Sequence, residues 1–177
     1  MATEYVILVD EQDNMTGFME KMEAHTGAHL HRAFSVFIFN SSGNLLLQQR
    51  ALTKYHSPGL WTNTCCSHPR PGEETAEAAH RRMKEEMGFD CDFEEAFSFI
   101  YKAELDNYLT EHEFDHVFIG TSDATPHINP DEVGDFRYAG IEQIRDEMNQ
   151  HPGSFTIWFR IAFDQVEVYF RENLKKI

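Results

Sequence analysis

In the stretch EETAEAAHRRMKEEMG, Glu73 to Gly88, the residues Glu73 to Met87 read as one helix. Ala76, Ala78, Ala79, Met83 and Met87 recur near helical spacing, acids crowd the first turn, and Gly88 follows the last periodic position. Its surroundings are strand-like. Upstream, Tyr5 to Asp10 is a short apolar strand. Arg32 to Asn40 (RAFSVFIFN) is rich in β-branched and aromatic residues, Ser41-Ser42-Gly43-Asn44 is a turn, and Leu45 to Arg50 (LLLQQR) completes a hairpin. Pro58-Gly59 breaks the next loop. Downstream, Phe93 to Glu104, His112 to Gly120 and Asp135 to Ala139 read as strands, and Ile141 to Gln150 and Trp158 to Leu174 as helices. Strands on both sides of a central helix predict an α+β class, with helices covering a mixed sheet.

The 177 residues suit a single domain, 1–177. A chain of that size buries about 70% of its unfolded surface and needs no disulfides. Its three cysteines, two of them adjacent, make a poor disulfide framework and fit a reducing compartment. No apolar run reaches the ~20 residues of a membrane span, and Met1 to Asp10 has no basic flank, so neither membrane nor signal peptide is expected. The expectation is a cytoplasmic protein. Fifteen Lys and Arg against thirty Asp and Glu give a net charge of −15, which argues against a nucleic-acid partner. An anionic substrate needs a local basic cluster here.

Chemistry-bearing residues concentrate in a few segments. Glu111 and Glu113 share one face of an extended strand, and two carboxylates so close repel unless a proton or cation lies between them. That face continues through Asp115, Val117 and Ile119, which is not a uniformly solvated pattern. His25, His29, His31 and His68, with these carboxylates, offer a donor set suited to a first-row divalent metal. Spacing does not choose among the histidines. Cys65 and Cys66 point to opposite sides of an extended segment just before the helix, so one thiol packs and the other can be tuned; residue chemistry does not say which. Lys21, Arg50, Lys54 and Arg82 lie in separate segments and either scatter over the surface or meet at a phosphate.

His31 to Asn40 (HRAFSVFIFN), Leu46 to Arg50, Trp61 to Pro69 (WTNTCCSHP) and Glu111 to Phe118 (EHEFDHVF) resemble type I isopentenyl diphosphate isomerase, over about Tyr5 to Trp158. That family implies a Nudix-type α/β/α sandwich. The Nudix signature falls on Ser67, Glu73, Arg81-Arg82, Glu85-Glu86 and Gly88. Ser67 replaces its first glycine and Arg82 the glutamate after the arginine, which counts against the alternative of a Nudix pyrophosphohydrolase.

The resemblance implies that His25, His31, His68, Glu111 and Glu113 hold one divalent metal, Mn2+, Mg2+ or Zn2+. It implies that Glu86 holds an Mg2+ arriving with the substrate diphosphate, and that Lys21, Arg50, Lys54 and Arg82 grip the diphosphate. Cys66 and Glu113 would be the proton-transfer pair, with Tyr101 and Trp158 completing the catalytic set. The reaction implied moves a double bond between isopentenyl and dimethylallyl diphosphate in isoprenoid biosynthesis. The partner is a small diphosphate and the protein a monomer.

Overall fold

The computed structural model describes residues 3–174. The elements are β1 (Tyr5–Val9), β2 (Met15–Glu20), α1 (Lys21–Thr26), β3 (His31–Phe39), β4 (Leu45–Arg50), β5 (Trp61–Thr62), β6 (Cys65–Ser67), α2 (Thr75–Met87), β7 (Phe93–Glu104), β8 (Thr110–Thr121), β9 (Val133–Ala139), α3 (Ile141–Gln150) and α4 (Ile157–Tyr169). No described helix is long and apolar enough to cross a membrane.

β3 organises the sheet because eight of its nine residues are buried. β8 runs parallel along one edge for the full length of β3, from His31↔Glu113 to Phe39↔Thr121. Three strands follow one another along its other edge: β1 at His31, β6 at Phe34 to Val36, and β4 at Phe39. β7 extends the sheet beyond β8, and β9 beyond β4, both antiparallel. The sheet is therefore mixed and curled, in an α+β fold.

Alternation along β3 separates two cores. Phe34, Val36 and Ile38 pack with Leu46, Cys65 and the buried side of α2. Phe37 and Phe39 pack with Leu45, Leu47, Val117 and Ile119 beneath α3 and α4. Helices thus cover both faces. Gly88 ends α2 in the left-handed region at φ 72°, its N–H bonded to the Lys84 carbonyl at 3.1 Å. A Cβ there would lie 2.3 Å from the His127 carbonyl oxygen, so glycine is required both for the turn and for the close approach.

Several expected boundaries shift. α2 begins at Thr75 rather than Glu73, and β8 spans Thr110–Thr121 rather than His112–Gly120. The last helix starts at Ile157 and passes into a π-helical turn at Phe170–Leu174, so it is not one uniform helix to Leu174. β2, α1, β5 and β6 carry no strong periodic signal: all have six residues or fewer, and no residue of β2 is fully buried.

Candidate active site

Strand register brings the chemical residues to one face. His31 pairs with Glu113, Tyr101 also pairs with Glu113, and Ser35 pairs with Cys66. Directly paired residues project to the same side, and His31 and Ser35 have the same parity on β3. Cys66 and Glu113 therefore stand on the same face, flanking β3 from opposite edges. Cys65 pairs with Val36 and turns into the α2 core, fully buried. The two thiols differ in surroundings, as their parity predicts.

α1 delivers His25, and the residue after β6 is His68. The His31 Nε2 lies 3.2 Å from the His68 Nε2, which is 2.9 Å from the Glu113 Oε1. The His31 and His25 Nδ1 atoms sit 2.8 and 2.7 Å from the carbonyls of His29 and Lys21. Carbonyls only accept, so each Nδ1 carries the hydrogen and each Nε2 presents a lone pair. The His25 Nε2 is buried without a partner. Convergent lone pairs, a carboxylate and carbonyl-oriented rings fit a divalent cation held by His25, His31, His68 and Glu113, whose ligand atoms all lie within 4.8 Å of one another.

Glu111 enters an overlapping group with His25 and His56. The Tyr101 hydroxyl lies 2.6 Å from Glu113 and 2.9 Å from Glu111. One hydroxyl hydrogen serves one carboxylate fully, so a proton on the other completes the chain. Burial and the neighbouring Glu113 push the Glu111 carboxyl well up, marking it as that protonated partner. Burial also opposes ionisation of Glu113, but the adjacent His31 and His68 imidazoles overcome it and hold Glu113 well down. The Glu113 contact favours a proton on His68, yet burial outweighs it and pushes His68 down to about 3.

A cavity of about 630 Å³ adjoins this cluster, and Cys66, His68, Glu111, Glu113 and Trp158 line it. Burial, with Glu86, Glu111 and Glu113 nearby, pushes the Cys66 thiol up to about 12 against the opposing pull of Arg50. Trp158 is 3% exposed, and its Nε1 donates to the Asn63 Oδ1 at 3.2 Å. The Arg50 guanidinium sits 5.3 Å from the centre of its ring.

Lys21, Arg50, Lys54 and Arg82, remote in sequence, line the same cavity. Glu86 stands apart from the histidine cluster, 2.5 Å from an Arg82 nitrogen and accepting from the Gln48 Nε2 at 2.9 Å. Tyr101 lies behind the carboxylates rather than on the cavity wall. His29 is exposed, His112 faces the Ala28 carbonyl, and His116 lies between Asp13 and Glu95, so none joins the cluster.

Sequence reasoning missed His56. It is buried, lies 3.7 Å from Glu111 and edge-on to Trp158, and lines the cavity. A loop histidine has no periodicity to reveal it; the available signal was its place in Tyr55-His56-Ser57-Pro58-Gly59, against the start of WTNTCCSHP.

The NUDIX domain family matches residues 29–159. The chain is 54% identical to an isopentenyl-diphosphate Delta-isomerase of Pectobacterium atrosepticum, over 94% of this chain and 93% of that protein. It is 54% identical to isopentenyl-diphosphate Delta-isomerase 2 of Photorhabdus laumondii, over 95% and 98%. Among solved structures it resembles the MutT protein of Methanosarcina mazei, with a TM-score of 0.65 and 20% identity over 82% of this chain and 96% of that one. That last likeness is one of fold.

Proposed function

The chain belongs to the NUDIX domain family and, within it, to the isopentenyl-diphosphate Delta-isomerases, and from that premise we propose that it interconverts isopentenyl and dimethylallyl diphosphate. The observation that carries this reading is a thiol and a carboxylate, Cys66 and Glu113, on one cavity wall with an aromatic face and four cations.

An isolated alkene is a weak base, and protonating its terminal carbon makes a tertiary carbocation. One of the pair supplies that proton, and the other removes a proton from the neighbouring allylic carbon, so the double bond moves and no atom is gained or lost. In the reverse direction the roles exchange. Cys66 enters as a thiol, since burial keeps its proton on at neutral pH. The Glu111–Tyr101–Glu113 chain can release or take up the other proton of the exchange through Glu113. Trp158 offers a π face to the cation, an attraction of up to about 2 kcal/mol when desolvated. With His56 and Tyr55 it also limits water at the reacting carbons.

Lys21, Arg50, Lys54 and Arg82 hold the diphosphate and so fix the five-carbon unit. His25, His31, His68, Glu111 and Glu113 would hold Mn2+, Mg2+ or Zn2+, which when bound orients Glu113 and stabilises its ionised form. Glu86 would hold the Mg2+ of the substrate complex. We place the enzyme in the cytoplasm as a monomer with a small-molecule partner only. Arg82, where a hydrolase signature has glutamate, disfavours pyrophosphate cleavage. The test is incubation with isopentenyl diphosphate and Mg2+, followed by NMR: the allylic isomer should appear without phosphate release. Phosphate without isomer would sink the reading.

A further inference from the structure

The cationic end of the cavity is already engaged by the protein itself. Arg82 donates through Nη1 to Glu85 at 2.7 Å and through Nη2 to Glu86 at 2.5 Å, and Nη2 also lies 3.2 Å from the Glu132 Oε1. Its Nε is buried without a partner. The Lys54 Nζ is paired with Oε2 of the same Glu132. One carboxylate thus gives an oxygen to each of two clamp cations, as a phosphate would.

Glu132 lines the cavity, and its backbone is fixed on both sides. Its N–H donates to the Asn129 carbonyl and its carbonyl accepts from the Ala51 N–H, both at 3.0 Å. That tie holds the segment before β9 against the loop that carries Lys54. Glu4 offers a comparison: it pairs with Lys21 at 2.9 Å, but its side chain is 70% exposed against 24% for Glu132. A solvated pair of that kind is easily parted. Arg50 makes no carboxylate ion pair among the described residues, because its N–H groups go to the His56 and Ser57 carbonyls.

We propose that Glu132 is a built-in anionic occupant of the diphosphate clamp, holding Lys54 and Arg82 in the place of phosphate oxygens until an incoming diphosphate displaces it. Glu132 is therefore a positioning residue, acting through the two cations. In the free enzyme it keeps two like charges close together and correctly aimed. On ligand entry it must let go, so it weakens binding of every anion that needs both cations.

This role rests on the reading of the cations as a diphosphate clamp, and the test separates the two. Inorganic pyrophosphate is titrated calorimetrically into wild type, Glu132→Gln, Glu132→Asp and Glu4→Gln at a fixed Mg2+ concentration. Glu132→Gln should bind about five- to tenfold more tightly, the scale of two partly exposed ion pairs. Glu132→Asp should stay near wild type, and Glu4→Gln should change less than about twofold. In turnover, Glu132→Gln should lower KM without raising kcat. Equal or weaker pyrophosphate binding by Glu132→Gln overturns the proposal and leaves Glu132 a scaffold for the cations. An equal gain in Glu4→Gln overturns it too, since a general field effect then suffices. No binding by any of the four proteins removes the clamp itself.

Discussion

Replacing Tyr101 by Phe removes one hydroxyl and leaves the ring, which stacks on Phe99 at 5.5 Å and is 6% exposed. The lost group bridges Glu113 at 2.6 Å and Glu111 at 2.9 Å in a buried setting. A hydrogen bond to a charged group contributes about 1.5–3 kcal/mol. The variant leaves both carboxylates without that donor, so the loss should appear in stability. For a chain of this length each kcal/mol lowers Tm by about 2–4 °C, so the variant should melt about 3–12 °C lower. Activity should fall as well, because the hydroxyl positions the proton on the carboxylate side; the expected loss in kcat is about 10²-fold. KM should hardly move, since Tyr101 does not line the cavity. The assay is a thermal melt together with saturation kinetics on isopentenyl diphosphate. A raised KM at unchanged kcat would refute the placement of Tyr101 behind the carboxylates, and an unchanged Tm would refute the bridge.

Cys66→Ala should lower kcat by about 10²–10⁴-fold, whereas Cys65→Ala, altered only within the α2 core, should stay active; equal losses would place the chemistry elsewhere. In metal-free protein, burial keeps His56 and His68 neutral down to about 2 and about 3, while the unfolded chain protonates them near 6.5. The unfolded state then binds more protons, so stability should fall as pH drops below about 6.5, by up to about 1.4 kcal/mol per pH unit for each histidine. Glu111 and Asp115, pushed up by burial, pull the opposite way, but His25, His56 and His68 outnumber them; a Tm constant from about pH 7 to about pH 5 contradicts this. Adding Mn2+, Mg2+ or Zn2+ at a hundredfold excess over Kd should stabilise chelator-treated protein by about 2.7 kcal/mol, and His25→Ala should lose most of that gain. Equal shifts in both proteins would exclude His25 as a ligand.

The parts of this molecule that are legible in its sequence are those with a sustained period. α2 and the β3–β4 hairpin are long enough for 3.6- and 2-residue patterns to stand out, and Glu111 and Glu113 share a face because β8 is regular. β2 escapes because none of its residues is fully buried and Gly17 interrupts it, and α1 because six residues barely complete a turn and a half. Yet α1 brings His25 and Lys21 to the site, so a segment with almost no local signal supplies two of its groups. His56 and Glu132 sit on loops fixed by tertiary contacts, through Arg50 on the His56 carbonyl and Ala51 on the Glu132 carbonyl, and no one-dimensional pattern encodes them.

The choice between adjacent thiols shows what pattern reading leaves undetermined. β6 is only three residues long, and nothing within Cys65-Cys66-Ser67 fixes which side faces the cavity. Three pairings with β3 decide it: Phe34↔Ser67, Ser35↔Cys66 and Val36↔Cys65. They are reinforced by the Thr64 hydroxyl, which accepts from the Ile38 N–H at 2.9 Å and donates to the Leu46 carbonyl at 2.7 Å, and by Asn63, whose amide reaches the carbonyls of Val36 and Cys65. Because side chains alternate with a period of two, a one-residue slip of β6 would bury Cys66 under α2 and present Cys65 to the cavity. The polar side chains of Asn63 and Thr64, fully buried themselves, therefore act on the chemistry by fixing the register. Substituting either should lower kcat on isopentenyl diphosphate through the position of the sulfur, while calorimetric binding of pyrophosphate stays unchanged.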